Sequence, residues 1–384
     1  MTVHFPSEEL SDRRKAVAAE LADRWLDGLL MFRQESMYYL TGYDTFGYVF
    51  FQCLYMGADG ETMTLLTRMP DLRQAKFTSV VKDIRVWLDR EGGNPARDLK
   101  EILDEHGCRG KRLGIETDAY GLTGFNLKLV EGALDGFCEL VEASDIVTRK
   151  RAIKSPSEIE YVREAARLAD VALDRAVEKA GPGAFEGDVL AALQGAIYEG
   201  GGDPPGNEVI IGSGPRALMV RYASGMRYMD PVDQLNLEWA GVFRRYHAAM
   251  MRTLIVGEAS DYQRHVFSAV REGLEAMTEA LAPGRPVGEV DDAHRRVLDA
   301  AGLEKHRLAA CGYSQGTTFQ PNWMDWPMLY SGNSILVEPG NVFFLHCIVV
   351  DSDRGVAISS GRTCLVTETG REVLSKQPLE MIVV

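Results

Sequence analysis

A single carboxylate, Glu238, lies within the apolar stretch LNLEWAGVFRRYHAAMMRT of residues 235–253. The residues around it predict a β-strand that carries one acid into an apolar environment. A carboxylate held among apolar and aromatic side chains is a competent general base or nucleophile toward a cationic, electron-poor carbon. The alternative is structural, because a buried carboxylate needs a partner. Five arginines are near in the sequence and could supply it: Arg221, Arg227, Arg244, Arg245 and Arg252.

A second group of candidate residues lies in the segment FQPNWMDWPMLY, which includes Trp323, Asp325 and Trp326. Tryptophan faces attract cations and Asp325 adds negative charge, so the segment is suited to binding an amidinium or ammonium group. Pro321 and Pro327 limit its flexibility. The alternative is a surface loop that is tucked in by its tryptophans.

The remaining candidates flank the Glu238 strand. His247, in RRYHAAMM, is either an ordinary strand histidine or a catalytic one. An arginine is expected to hold a substrate carboxylate through a bidentate pair of hydrogen bonds. Arg227 and Arg245 are the candidates for this role, and the sequence leaves open which of them performs it.

The helices and strands that position these residues fall into two groups. A helix with clear start and stop signals in the sequence marks the boundary between them. Ser155 and Glu158 form an S-x-x-E capping box, and apolar residues then recur at helical spacing until Gly181 and Pro182 stop the helix. Short buried strands alternate with helical stretches before it. We therefore predict an α/β domain over residues 1–150 and a second domain over residues 151–384.

The second domain contains an internal repeat. The segments PGAFEGDVLAALQGAIYEGGG, from Pro182, and PGRPVGEVDDAHRRVLDAAG, from Pro283, share Pro-Gly and then Gly-acid-Val in the same register. Strand-like segments follow each copy. The repeat predicts a pseudo-symmetric α+β domain with a cleft between its halves, which is a common place for a ligand site. The alternative is that Pro-Gly before a helix is ordinary turn chemistry.

Composition excludes several classes of protein. The 384 residues carry a net charge of −14, which argues against a nucleic-acid partner. No run of 18 apolar residues occurs, so no membrane span is predicted. The N-terminal residues are too charged for a signal peptide, and the six cysteines lack CxxC spacing. We expect a reduced, cytoplasmic, globular protein.

Several motifs, in order, resemble the creatinase/prolidase/methionine aminopeptidase family: KSPSEIEYVREAA, RRYHAAMMRTLIVGE, CGYSQGT, EPGNVFFLH and GRTCLVTETG. The resemblance covers essentially the whole chain. It implies an α/β N-terminal domain and an α+β pita-bread catalytic domain with an internal pseudo-twofold repeat. It also implies a homodimer.

In the peptidases of that family two divalent metals are held by two Asp, one His and two Glu. The resemblance places these ligands at Glu238, Ala249, Tyr313, His346 and the segment 359–361. One Glu and one His remain, whereas a carboxylate-bridged metal pair needs several hard oxygen ligands. We therefore expect no metal and no cofactor.

The resemblance also implies roles for these residues. It makes Glu238 the catalytic carboxylate, acting either as nucleophile or as base on the attacking water. His346 and Tyr313 replace former metal ligands and are expected to point into the cleft, where His346 could shuttle protons and Tyr313 could form hydrogen bonds.

Within the family, the segments YYLTGYDTFGYVFFQC, EWAGVFRRYHAAMMRT and NWMDWPM resemble the ectoine hydrolase branch. That branch implies metal-independent opening of a cyclic amidine ring in a small zwitterionic substrate. A creatinase-like amidinohydrolase is an alternative, although Arg221 stands where a family histidine would fall. The other alternative functions are those of a divergent Xaa-Pro peptidase and of a non-catalytic binding protein.

Overall fold

The computed structural model describes residues 3–384, and the chain divides into two compact units. The first unit ends at Arg151 and the second begins at Ala152, one residue after the predicted boundary. Within residues 3–384, no helix is both long enough and apolar enough to cross a lipid bilayer.

The first unit has the α/β pattern expected from its alternating strands and helices. Its described strands form one sheet in the order β4-β3-β2-β1-β5-β6, with the bounds β1 Gly28–Met31, β2 Cys53–Gly57, β3 Met63–Arg68, β4 Asp83–Trp87, β5 Arg112–Ile115 and β6 Glu139–Glu142. Its helices are α1 Ser7–Asp23, α2 Gln34–Thr41, α3 Leu72–Thr78, α4 Pro95–Glu105, α5 Gly124–Leu134 and α6 Asp145–Ala152, the last of which ends at the unit boundary. Two apolar cores fill the two faces of the sheet.

The second unit places four helices against a second sheet. The helices are α7 Pro156–Lys179, α8 Glu186–Glu199, α9 Asp261–Ala280 and α10 Gly288–Ala300. The strands are β7 Ile210–Ser213, β8 Asp233–Phe243, β9 Tyr246–Val256, β10 Gly312–Ser314, β11 Asp325–Leu329, β12 Val342–Asp351, β13 Val356–Thr367, β14 Gly370–Val373 and β15 Ile382–Val383. The predicted capping box starts α7: the Ser155 hydroxyl accepts from the Glu158 backbone N–H, and the Glu158 carboxylate accepts from the Ser155 backbone N–H.

Strand order in this sheet reveals the repeat. The main path runs β11-β10-β12-β13-β9-β8-β7. Each half therefore contributes two helices and then antiparallel strands, and the halves meet where β13 pairs with β9. The pairing at this junction joins Ser360 to Arg252 and Gly361 to Met251.

The repeated Pro-Gly motifs occupy equivalent places in the two halves. Gly183 and Gly284 both have positive φ, 76° and 78°, a backbone conformation that glycine adopts without strain. The valines that follow in the same register, Val189 and Val290, are both fully buried in the helices that come next. The repeat is therefore structural and does not reflect turn chemistry alone.

The two faces of the second sheet have different surroundings. On the helix side, Trp239 of β8 is fully buried in a core shared with α7 and α8. Because side chains alternate along a strand, Glu238 points to the opposite face. That face carries a smaller group, here called the open-face cluster: Ala240, Val242, Ala249, Met251, Tyr313, Trp323, Phe344 and Ile348.

A two-residue turn joins β8 to β9. Both of its residues, Arg244 and Arg245, have positive φ, 50° and 68°, as in the hairpin turns that usually contain asparagine and glycine. The Arg244 guanidinium lies 4.7 Å from the Tyr161 ring centroid and donates to the Tyr161 hydroxyl at 2.6 Å. These contacts offset part of the cost of the left-handed backbone.

Candidate active site

Glu238 lies on the open face of the second sheet, directly across from Met251 of β9. It borders a small pocket of about 20 Å³. The other side chains that form this pocket are mostly apolar and include Ile210, Met219, Val220, Met251 and Ile348. A carboxylate in such surroundings is poorly solvated, which favours its neutral form.

A chain of two hydrogen bonds leads to this carboxylate. The Tyr313 hydroxyl donates to Glu238 Oε1 at 3.4 Å, and the Trp323 indole N–H donates to the Tyr313 oxygen at 2.8 Å. Tyr313 is placed by β10, where it pairs with Phe344 of β12. Trp323 is 1% exposed, so its N–H is held away from water and directed at the phenol.

The pKa of Glu238 is shifted toward neutrality. Burial raises it from 4.5 to about 7, and the charge of Arg221 and the hydrogen bond from Tyr313 oppose that rise. Within residues 3–384, Glu238 has no arginine or lysine within 4 Å as an ion-pair partner. The interpretation of Glu238 as a structural acid paired with an arginine is therefore not supported by the geometry.

Tyr313 is a hydrogen-bond donor in this site. Burial, followed by the negative charge of Glu238, holds the pKa of the Tyr313 phenol well above its usual range. The phenol therefore keeps its proton at neutral pH, so it directs that proton to the carboxylate. The expectation that Tyr313 forms hydrogen bonds in the cleft agrees with this arrangement.

His346 lies beside Tyr313, with the two ring centroids 5.8 Å apart. Its Nδ1 is buried and has no hydrogen-bond partner among the residues that the structure describes. Burial lowers the pKa of His346 to about 3. The imidazole is therefore neutral at physiological pH, and the role of His346 in proton transfer stays a prediction. A neutral ring with an unused nitrogen remains suited to a hydrogen bond with a ligand.

The structure assigns His247 a structural place. The Gly206 backbone N–H donates to His247 Nε2 at 2.8 Å, so that nitrogen is an acceptor and the proton resides on Nδ1. Nδ1 lies 3.0 Å from the Arg245 carbonyl oxygen and 3.1 Å from the Thr318 hydroxyl. The side chain is fully buried, and burial lowers its pKa to about 4. Both nitrogens are engaged within the fold, which favours the interpretation of His247 as an ordinary strand histidine, and its catalytic role stays a prediction.

The two arginines predicted to bind a substrate carboxylate are engaged elsewhere. Arg227 pairs with Asp233 at 2.6 Å and with Asp230 at 2.5 Å. The Arg245 guanidinium lies 5.2 Å from the ring centroid of Phe319. Arg227 is therefore an ion-pair residue of the fold, which corrects its assignment to substrate binding.

Arg221 was missed as a substrate-binding candidate. Its positive charge lowers the pKa values of Glu238, Tyr313 and His346. The sequence carried one signal for it, since Arg221 occupies the place of a family histidine in SGPRALMVRYASGMRY.

The residues of the aromatic segment FQPNWMDWPMLY lie in two different environments. Trp323 belongs to the open-face cluster and supports Tyr313, so its buried ring is not an open platform for a cation. Asp325 and Trp326 begin β11 and are half-buried, and Asp325 pairs with Ser314 of β10. The segment thus borders the site through Trp323, which corrects the prediction that all three side chains form one cation clamp.

Comparisons with known proteins place these observations in context. Residues 13–153 match the creatinase/prolidase N-terminal domain, and residues 160–368 match metallopeptidase family M24. An ectoine hydrolase of Halomonas elongata is 28% identical over 402 residues, covering 100% of this chain and 99% of that protein. A Sinorhizobium fredii protein described as an uncharacterized hydrolase/peptidase is 29% identical over 392 residues, covering 99% of each chain.

Solved structures show the same fold. An Xaa-Pro dipeptidase from Bacillus anthracis superposes with a TM-score of 0.84 at 21% identity, covering 98% of this chain and 100% of that one. Together with the two domain matches, this likeness confirms the predicted fold: a creatinase-type N-terminal domain followed by a pita-bread domain.

Proposed function

We propose that this chain, which belongs to metallopeptidase family M24, is a hydrolase that opens the cyclic amidine ring of a small zwitterion of the ectoine type. In this proposal Glu238 acts at the ring carbon and no metal takes part. The hydrolase class follows from the family, and the substrate and the metal independence are the proposal.

The residues of this site do not fit a pair of divalent metals. The family resemblance assigns two ligands to Ala249 and to the segment 359–361, where the chain offers a methyl group, two hydroxyls and a glycine. A Cβ on Gly361 would lie 2.6 Å from the Phe344 ring, so that ring fills the space that a longer ligand would need there. Within residues 3–384, no three His, Cys, Asp or Glu side chains are grouped as metal ligands. We assign no step to a metal.

The observation that carries the proposal is the environment of Glu238. Its pKa of about 7 leaves a substantial fraction of the carboxylate ionised at neutral pH, while its apolar surroundings keep that charge reactive. An amidinium ring is cationic and its central carbon is already electrophilic. A carboxylate with few competing hydrogen bonds is the complementary partner for such a group.

The chemistry then needs only water and the side chains present. The oxygen of a water molecule forms a bond to the amidine carbon, and one ring C–N bond breaks. The departing nitrogen takes a proton and becomes an amine, while the other nitrogen keeps the carbon as an acetamide. Glu238 either removes the proton of the attacking water or first forms an ester-like bond to the carbon, which water then hydrolyses. Tyr313 holds the carboxylate in position through its hydrogen bond.

The relatives give further support. The Halomonas elongata protein that matches over the full chain is an ectoine hydrolase. Its identity of 28% is low enough that a related cyclic amidine, such as hydroxyectoine, stays within the same proposal.

The test is direct. Purified protein is incubated with ectoine in the presence of a chelator, and NMR follows the conversion of the ring methyl signal to that of an N-acetyl group. Ring opening that resists the chelator is the expected result. Metal-dependent cleavage of an Xaa-Pro dipeptide, abolished by the chelator and without ring opening, would identify the protein as a divergent peptidase instead.

A further inference from the structure

Arg221 lies on an exposed segment that leads away from β7. The segment follows a 3-10 helix, Gly214–Leu218, and Arg221 itself is exposed. Its guanidinium donates to the carbonyl of its own neighbour, Val220, at 2.9 Å. Within residues 3–384 it forms no ion pair with a carboxylate, whereas Arg227, on the same loop, is paired with two aspartates.

The fold brings this segment to the wall of the Glu238 pocket. The Asn236 side chain, on the same strand as Glu238, donates to the Ala217 carbonyl at 2.7 Å and so ties the 3-10 helix to β8. The next residues, Met219 and Val220, line the same pocket as Glu238. Arg221 follows them directly and therefore sits at the pocket rim.

The charges at the pocket form a pattern. A carboxylate lies inside, among apolar side chains, and an arginine without a carboxylate partner stands at the rim. The positive charge of Arg221 lowers the pKa values of Glu238, Tyr313 and His346, so it is near enough to the site to act on all three electrostatically. A ligand that satisfies both ends carries a cationic group toward Glu238 and an anionic group toward the rim.

We infer that Arg221 is the specificity-determining residue that receives the carboxylate of the substrate, while the amidinium ring of the same molecule lies against Glu238. The inference rests on the proposed function and sharpens it, because it states which amidines are accepted. A guanidinium binds a carboxylate through two parallel hydrogen bonds, so it fixes orientation as well as charge.

The closing experiment compares two amidines that differ in one group. Ectoine carries a ring carboxylate, and 2-methyl-1,4,5,6-tetrahydropyrimidine is the same ring without it. The affinity of each is measured by calorimetry on the Glu238→Gln variant, in which turnover is expected to be lost. The ratio of the two affinities should favour the acid, and Arg221→Gln added to this variant should reduce that ratio roughly 10- to 100-fold, the size of a charge-assisted hydrogen bond.

Two further variants separate charge from geometry. Arg221→Lys keeps the charge without the planar fork, so it should restore part of the preference for the acid. Arg216→Gln is the matched control, since this arginine lies on the same segment and donates to the Ser224 carbonyl. It should leave the ratio unchanged. An equal loss of affinity for both amidines in Arg221→Gln would mean that Arg221 does not recognise the substrate carboxylate, and the inference would be overturned.

Failure of the inference and failure of the proposed function give different results. If wild-type protein opens the ring but Arg221→Gln keeps the full preference for the acid, the function stands and the carboxylate site is wrong. If the preference depends on Arg221 but neither amidine is opened, the carboxylate site stands and the proposed reaction is wrong. A protein that binds neither amidine contradicts both.

Discussion

The phenol of Tyr313 and the carboxylate of Glu238 meet across the two halves of the pita-bread domain, at 3.4 Å from oxygen to oxygen. Glu238 belongs to β8 of the first half, and Tyr313 belongs to β10 of the second half. The buried acid and the phenol that donates a hydrogen bond to it are therefore contributed by separate copies of the repeat.

The first prediction concerns turnover. Glu238→Gln keeps the volume of the side chain and removes its negative charge, so ring opening should fall by at least about 1,000-fold, a loss expected for a nucleophile or essential base. Circular dichroism should show an unchanged fold. The measurement is the initial rate of N-acetyl product formation. A variant that retains near wild-type turnover would show that Glu238 is not the catalytic carboxylate.

The second prediction concerns the stability of the same variant. Because burial raises the folded-state pKa of Glu238 from 4.5 to about 7, ionising this group destabilises the folded protein, and the penalty grows between these two pH values. Glutamine cannot ionise. The thermal midpoint of Glu238→Gln should therefore match that of wild type at about pH 4.5 and exceed it by several degrees at about pH 8. A constant difference at all pH values would argue against a raised pKa.

The third prediction concerns the pH profile of the wild-type protein. If ionised Glu238 is required, kcat/KM should rise with pH until about pH 7, the pKa of the free protein, and then level off. The profile is measured with ectoine at fixed ionic strength. A rise centred near the ordinary glutamate pKa of 4.5 would show that Glu238 is well solvated in solution.

The fourth prediction concerns the hydrogen-bond chain. Tyr313→Phe removes the donor to Glu238, so kcat should fall by roughly 10- to 100-fold. The acidic limb of the pH profile should also move to higher pH, because the hydrogen bond from Tyr313 lowers the pKa of Glu238. Trp323→Phe removes the N–H that reaches Tyr313, together with part of a buried ring, and should produce a smaller change in both. If Tyr313→Phe alters stability but neither kcat nor the profile, the phenol has only a packing role.

The fifth prediction separates structure from catalysis at His247. Replacing it with leucine leaves the Gly206 N–H without its acceptor, so the protein should lose about 1–3 kcal/mol of stability. Turnover per folded molecule should stay unchanged, since neither ring nitrogen is available to a substrate. Denaturant titration and active-protein-normalised rates provide the two readouts. A fully folded variant without activity would restore His247 as a catalytic candidate.

Much of the fold was accessible from local sequence signals. The capping box at Ser155 and the periodic helix after it are local features, and both occur as predicted. The repeat was visible because Pro-Gly, with its positive φ, has to recur wherever the same turn recurs. Such features depend on neighbours along the chain, so the sequence carries them directly.

The site was harder to predict because its contacts are distant in sequence. Glu238 was identified because one acid in an apolar strand stands out. The contacts of His247 with Gly206 and of Arg227 with Asp233 form only when loops pack against the strands. No local sequence pattern predicts them. Arg221 was not among the predicted ligand-binding residues for the same reason, since several arginines near Glu238 are equivalent in the sequence until the fold separates them.

The pairing of β13 with β9 holds together the two halves of the domain that carry Glu238 and Tyr313. The two halves are joined in the sheet by the pairs Ser360 with Arg252 and Gly361 with Met251, and Arg252 also donates to the Gly361 carbonyl at 2.9 Å. Opening of this seam would draw Glu238 away from Tyr313 and would split the open-face cluster, whose residues come from both halves. If Glu238 and Tyr313 act as proposed, activity depends on the seam remaining closed, and mild denaturant should reduce activity before it melts the helices.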